Sequence, residues 1–526
     1  MRCGVLRILL VTGRLGEATL RRAIERSNSK HHVDVLVLPI EVAALLTPEL
    51  LKHYLSQIPG LSLRYDIVIA PGLVRGSLKG VSEDLGVPIV KGTIHADDVD
   101  TLLRLNEGDL VMLSPERPAD EVLAERELRI CLSSVEERSQ SIPWVPLGDK
   151  RVYVDPPPIL LVAEVVGVSA SSYEKLVEKA QSYIEVGAEA IAIAPSRDVD
   201  PSELARIIKG FSVVGVPLGL DTPRPKLVRR AMKAGIDFVL NVTSDLIRYL
   251  DGMPKEVTLV LTAGIDHSNG VEELIERVFN MGFENVIVDP VIDPPLRGTG
   301  FIVSLERYRS VRSRWRTLPL AANVNNIVEY VDADSTGVIG FLLPLLLELG
   351  VGMVVAMELG AKSYGIVEEV STGILMATCA SIRGGAPTGF APNLLVLKER
   401  RWIDIVLGRV DRVVEAQGFR RPAPDPAGLF KVRIRRDESL IEVLHIGRRG
   451  RVLIRGRDAA SIYQKAIELG LVSTLDHAAY LGQELAKAEE ALRTGKNYVQ
   501  DRPLFTRPGE LLRAFLGRRL TTQAPS

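Results

Sequence analysis

The feature that most limits the folds open to this chain is a regular alternation of short apolar runs and amphipathic stretches between residues 157 and 390. The apolar runs fall at about 159–165, 189–194, 216–221, 237–242, 257–262, 285–290, 317–324 and 352–357, each followed by a segment with helical spacing. Two of those helices carry a glycine stop, the one from Tyr173 at Gly187 and the one from Val271 at Gly282. Eight strands, each followed by a helix, predict a closed (β/α)8 TIM barrel, in which the C-terminal strand ends form the rim that carries binding side chains.

The flanks read differently. Residues 1–145 alternate strand and helix, with strands at Arg7–Gly13, Val33–Leu38, Tyr65–Ala70 and Val87–Val90, and predict an open parallel, Rossmann-like α/β domain. Its loops Thr12–Gly16 and Pro71–Gly76 match neither a dinucleotide fingerprint nor a Walker loop and read as strand-to-helix turns. From about 115 to Pro158 the pattern gives way to charged and proline-bearing sequence, a linker signal. Past the barrel, Ser381–Gly389 reads as a glycine-rich connector and Arg421–Pro426 as a second linker. Three alternating strands near Lys431–Arg435, Leu440–His445 and Arg451–Arg455, then helices, predict a small α+β domain over 429–526, with Asp476 capping the long helix. The expected architecture is α/β, with the barrel at 157–390 between these two domains.

Composition removes several function classes. Sixty-five basic residues against 66 acidic ones leave a net charge of −1, with no general attraction to nucleic acid or an anionic membrane. Cys3, Cys131 and Cys379 have no metal-ligand spacing, and their odd number argues against a disulfide framework, so a reducing, cytoplasmic setting without a bound metal is expected. The apolar stretch Gly340–Met357 is interrupted by Pro344 and Glu348, and Leu349-Gly350 reads as a helix end before a new strand. A buried helix and strand are expected there, not a membrane span.

Polar residues recur where the barrel strands stop: Glu164 on strand one, Asp221 and Thr222 after strand three, Asn241 on strand four, Asp289 on strand six, Asn325 and Asn326 after strand seven. Each has a bland reading as a helix cap or turn residue. Together, carboxylates that accept paired N–H donors and amides that donate and accept suit a flat heterocycle with an amino-pyrimidine edge.

The runs Pro217-Leu-Gly-Leu-Asp-Thr222, Ala234-Gly-Ile-Asp-Phe-Val-Leu-Asn241 and Val286-Ile-Val-Asp-Pro290 resemble, in order and spacing, the pterin-binding core of dihydropteroate synthase. The whole chain is similar to the archaeal dihydropteroate synthase-like proteins, through Asn326–Ser335, the His477-Ala-Ala-Tyr-Leu-Gly482 run and the Tyr498-Val-Gln-Asp501 ending. That resemblance implies a reduced pterin as ligand or substrate, ring contacts from Asp221, Asn241 and Asp289 with Thr222 beside them, and a transferase of pterin metabolism. Departures from the synthase pattern bear on the reaction. Strand one runs Val162–Gly167 without the phosphate-loop asparagine, and strand two is followed by Pro195-Ser-Arg-Asp198. Strand seven ends in asparagines; neither Arg197 nor Lys362 matches the synthase cations residue for residue. A second branch of the superfamily transfers methyl from a tetrahydropterin to a corrinoid, and there an asparagine like Asn326 hydrogen-bonds the pterin N5. Asn326, Lys362 and Glu164 are the catalytic candidates. The expected partners are the pterin, a second copy through the barrel and, on the methyl-transfer reading, a corrinoid protein.

Overall fold

Why the barrel closes is visible in the parity of its strands. A computed structural model describes residues 4–263, 271–390, 392–400, 411–416, 418, 424–448 and 450–505; Cys3 and the linker positions Arg421–Ala423 lie outside them. The chain divides into two compact units, Met1–Ile405 and Val406–Ser526.

In the first unit, β1 (Arg7–Gly13), β2 (His32–Leu38), β3 (Ile67–Ala70) and β4 (Ile89–Lys91) form a parallel sheet ordered β2-β1-β3-β4. Next comes a hairpin, β5 (Trp144–Leu147) and β6 (Lys150–Tyr153), and then the barrel strands. These are β7 (Leu160–Val168), β8 (Ala190–Pro195), β9 (Leu218–Leu220), β10 (Phe238–Val242), β11 (Thr258–Thr262), β12 (Val286–Asp289), β13 (Leu320–Asn323) and β14 (Val351–Met357), closed in a single ring with β14 paired to β7. All eight expected strands are present. Alternate residues point in, so Leu160, Val162, Phe238, Val260, Ile287 and Met353 fill the interior, while their neighbours pack against the outer helices.

The stretch expected to be a linker is structured. Residues Ala119–Ser139 form a helix, and the hairpin sends Val145, Leu147 and Val152 into the barrel interior. It closes the N-terminal end, where Thr258 Oγ1 donates to Pro146 O at 2.5 Å. A side chain at Gly352 would stand 2.1 Å from Tyr153 O. The sign was the two-residue turn Gly148-Asp149, with Gly148 at φ +60°, between short β-prone runs. The glycine-rich exit is anchored as well. Gly384 ends the helix Ile366–Arg383 at φ +72°, Arg383 then binds the carbonyls of Ala386 and Thr388, and Phe390 joins the core of the N-terminal sheet. Two of the scattered cysteines, Cys131 and Cys379, meet in one small buried cluster.

Gly340–Met357 folds as expected, as the end of a helix (Ser335–Glu348) and β14. No helix among the described residues is long and apolar enough to cross a membrane.

One interior position tests the packing. Gly219 lies beside Phe238, and a Cβ there would fall 2.1 Å from the Phe238 ring. Gly219→Ala is expected to destabilise the protein by about 1–3 kcal/mol, seen as a lower midpoint in chemical unfolding; Phe238→Leu in the same background should recover part of the loss.

The second unit holds an antiparallel meander, β15 (Leu429–Arg435), β16 (Leu440–Gly447) and β17 (Gly450–Gly456), backed by helices Ala459–Glu468 and Leu475–Thr494. The cap of the long helix is Thr474, whose side chain accepts from His477 N; Asp476 stands in the first turn instead. The two motifs at this end interlock. Gln500 Nε2 donates to Tyr480 Oη (2.7 Å), Tyr480 to Asp501 (2.9 Å) and Tyr498 to Glu484 (2.7 Å), while His477 Nδ1 lies 3.1 Å from the buried Asp425. These contacts tie helix to tail and give the motif a structural role.

Candidate active site at the barrel rim

On six of the eight strands the inward-facing position at the C-terminal end carries a functional group or a methionine: Glu164, Asp221, Thr262, Asp289, Asn323 and Met357; on β8 it is Ala194. Parity alone puts Glu164 above Val162, Asp289 above Ile287 and Thr262 above Val260. Asn241 is of the wrong parity, and a local distortion corrects it. The register of β10 on β11 slips between Val239 and Val242, and Asn241 takes φ +53°, a left-handed conformation that asparagine tolerates better than most residues. Its amide is thereby re-aimed to the rim, where Nδ2 donates to Asp221 Oδ2 at 2.7 Å and Oδ1 accepts from Thr262 Oγ1 at 3.3 Å.

Glu164 completes this chain. It is 4% exposed, its Oε2 is buried without a hydrogen-bond partner among the described residues, and its carboxyl faces that of Asp221. Burial, then the neighbouring charge of Asp221, pushes its pKa up to about 8; burial raises Asp221 too, against the stabilising bonds from Asn241 and Glu164. Of the two, Glu164 is the group that keeps its proton near neutral pH, an O–H donor beside Asp221.

Asp289 sits across the rim, next to Thr262 in register. Its Oδ1 accepts from Val291 N (2.8 Å) and from Tyr308 Oη (3.0 Å), whose hydroxyl also reaches Ala321 O at 2.9 Å. No described donor takes Oδ2. Burial raises its pKa to about 6, and the two donors oppose that shift. Sequence reasoning missed Tyr308 and Arg307, because one tyrosine and one arginine on an amphipathic helix give no local signal. Arg307 pins the loop after β12 by binding the carbonyls of Pro290 (3.0 Å) and Val291 (2.6 Å) and the carboxylate of Asp293 (3.0 Å). That clamp holds Val291 at φ +65°.

The other predicted residues divide by surroundings. Thr222 is buried and accepts only a long 3.4 Å bond from Arg224 N, and the helix at Pro225 has no side-chain cap, so Asp221 is not consumed as a cap. Asn325 is structural: its amide clasps Met357 through N–H and C=O at 2.9 and 2.7 Å. Asn326 is half-buried and makes no side-chain hydrogen bond to the described residues. Lys362 binds Glu329 O (2.8 Å) and Asp332 (3.0 Å), joining the loops after β13 and β14. Glu358 is held by Tyr183, Lys179 and Gly365 N. Arg224 spends its guanidinium on the carbonyls of Ser196, Arg197 and Val199. Arg197 itself is exposed.

Two family models match the chain, one described as PterinBD-DUF4346 over residues 424–501 and one as Family of unknown function (DUF6513) over residues 6–94. The dihydropteroate synthase of Yersinia pestis, bound to a pterine-sulfa conjugate, is 14% identical with a TM-score of 0.36, over 45% of this chain and 99% of that one. The Coxiella burnetii dihydropteroate synthase, with pteroic acid, is 16% identical with a TM-score of 0.36, over 46% and 99%. A truncated 3-deoxy-D-arabino-heptulosonate 7-phosphate synthase of Thermotoga maritima is 14% identical with a TM-score of 0.34, over 48% and 96%. The closed order of eight parallel strands, independent of these likenesses, defines the barrel. Uncharacterized protein MJ0107 of Methanocaldococcus jannaschii is 30% identical over 529 residues, covering 95% of this chain and 99% of that one. With identity sustained over nearly the full length of both, this chain belongs to the same family as MJ0107.

Proposed function

We propose that the barrel rim binds a reduced pterin and that the protein is a transferase acting on a group the pterin carries. The observation that carries this reading is the hydrogen-bonded chain Thr262–Asn241–Asp221 beside Glu164, with Asp289, its Oδ2 free, in register next to Thr262. An amino-pyrimidine edge offers adjacent N–H donors and a ring nitrogen. Asp289 Oδ2 accepts from the donors, while Asp221 and Asn241 take the remaining polar edge. The proton that Glu164 keeps beside Asp221 is an acid held in a desolvated site, suited to donate to a ring nitrogen as the transferred group departs. A bound reduced pterin supplies the transferable carbon unit.

A second, narrower reading is methyl transfer to a corrinoid carried by a partner. Diphosphate displacement requires cations at the departing oxygens. Here Arg224, Arg307 and Lys362 are each engaged with backbone carbonyls or an acid, which leaves the exposed Arg197 to serve a departing diphosphate. Asn326, with its amide uncommitted, is the side chain assigned to the pterin N5. Turnover separates the readings. Methyl-tetrahydropterin with a reduced corrinoid is expected to react, and Asn326→Ala to slow the reaction about 100-fold with little change in pterin affinity. Consumption of a pterin diphosphate with an arylamine would overturn the methyl-transfer reading; tight pterin binding with neither reaction would make the protein a carrier.

A further inference from the structure

The N-terminal sheet has a site of its own. With the order β2-β1-β3-β4, the chain leaves β1 to one side for β2 and then crosses to the other side for β3. The helix Glu17–Ser27 packs with Ile8 and Leu10 on one face, and the helix Pro48–Leu55 with Leu9 and Val11 on the other. A crevice opens at the C-terminal strand ends where connections diverge in this way, and it is the general ligand position of open α/β sheets. Here the crevice is a cavity of about 290 Å³ over the ends of β1, β3 and β4, near the lower end of the roughly 300–1,000 Å³ typical of small-molecule pockets.

Its walls define the ligand. The body is apolar, from Leu10, Leu20, Ile69 and Val99, and Leu15 (70% exposed) and Val42 (45%) stand uncovered at the mouth. Backbone closes the sides, because the loops approach too closely for side chains. A Cβ would fall 2.6 Å from Gly92 O at Gly72, and 2.9 Å from Ile40 O at Gly13. Among the described residues no Lys, Arg or His lines the cavity, whereas Glu41 does, just beyond β2, where one of its oxygens, Oε1, pairs with the exposed Arg14 at 3.3 Å and Oε2 takes no described partner. Thr12 is buried, and its hydroxyl reaches only Gly13 O, at 3.3 Å. An acid beyond β2 at such a crevice is placed to accept from a ribose hydroxyl, and a phosphate is disfavoured because the lining carries no cation and Arg14 beside it is already paired with Glu41.

We propose that this crevice binds an uncharged nucleoside, with the base against the apolar wall under Leu15 and Val42 and a ribose hydroxyl donating to Glu41. Calorimetric titration of the full-length protein with adenosine, guanosine, adenine and adenosine monophosphate tests it. At least one nucleoside is expected to bind, with adenine and the monophosphate each weaker by about tenfold or more. Ala96→Phe, which fills the crevice, is expected to abolish binding, and the exposed Glu41→Gln to weaken it about tenfold while leaving the unfolding midpoint unchanged. Asp289→Ala, at the barrel rim, should leave nucleoside affinity intact. Absence of nucleoside binding, equal affinity for the monophosphate, or full affinity in both Ala96→Phe and Glu41→Gln would overturn the proposal.

Discussion

Replacing Asp289 by alanine is expected to lower reduced-pterin affinity about 100-fold or more, since charge-assisted hydrogen bonds contribute about 1.5–3 kcal/mol each and the free Oδ2 is assigned two ring donors. The rim should survive the change. Tyr308 keeps its bond to Ala321 O, and Arg307 still holds the loop through the carbonyls of Pro290 and Val291. Asp289→Asn separates charge from shape: it keeps an acceptor for Val291 N but presents no anion. Fluorescence or calorimetric titration with a tetrahydropterin reads the loss, and unfolding midpoints check that the barrel is intact. Undiminished affinity in Asp289→Ala would remove the ring from this position and with it the proposed orientation.

Stability is expected to fall as pH rises through the window set by Glu164. The folded protein holds its proton up to about pH 8, against 4.5 for an ordinary glutamate. Between those limits the folded state binds more protons than the unfolded chain, so unfolding free energy decreases with pH, present in full below about 4.5 and lost by about 8. Interaction with Asp221 reduces the effect to something on the order of 3 kcal/mol. Glu164→Gln keeps the size of the side chain and a donor for Asp221 but cannot ionise. It should flatten this part of the pH profile and leave the variant more stable than the natural protein at pH 8, as measured by denaturant unfolding at pH 5 and pH 8. The same slope in both proteins would show that Glu164 does not hold a proton in the folded state. Catalysis should move the opposite way, with group transfer impaired in the more stable variant, as is common where a buried ionisable pair serves chemistry.

Much of this site was legible in the one-dimensional pattern. Strand period and helix spacing are local, so all eight barrel strands could be placed from the runs themselves, and with them the level at which Glu164, Asp221 and Asp289 stand. The C-terminal meander was readable for the same reason, through its alternation and turns. The region before the barrel was misread because charge and proline mark solvent-facing sequence, whereas the hairpin 144–153 is held by burial against a barrel end that is distant along the chain. Asp476 gave way to Thr474 as a cap because either can supply the oxygen, and only the entry angle of the chain selects one.

What the sequence determined by itself is the succession of elements and the chemical character of the rim, since both follow from periodicity and residue type. The tertiary structure alone decided which groups at that rim remain uncommitted. Asn325 is used up on the backbone of Met357, Lys362 on Asp332 and Glu358 on Lys179, while Asn326 and the outer oxygen of Asp289 are not. It also decided that Asn241 turns into the mouth, through a bulge that strand alternation does not foresee. The physical reason is common to these cases: hydrogen-bond partners and proton affinities depend on distances across the barrel, and residues that meet there are separated by tens to hundreds of positions in the chain.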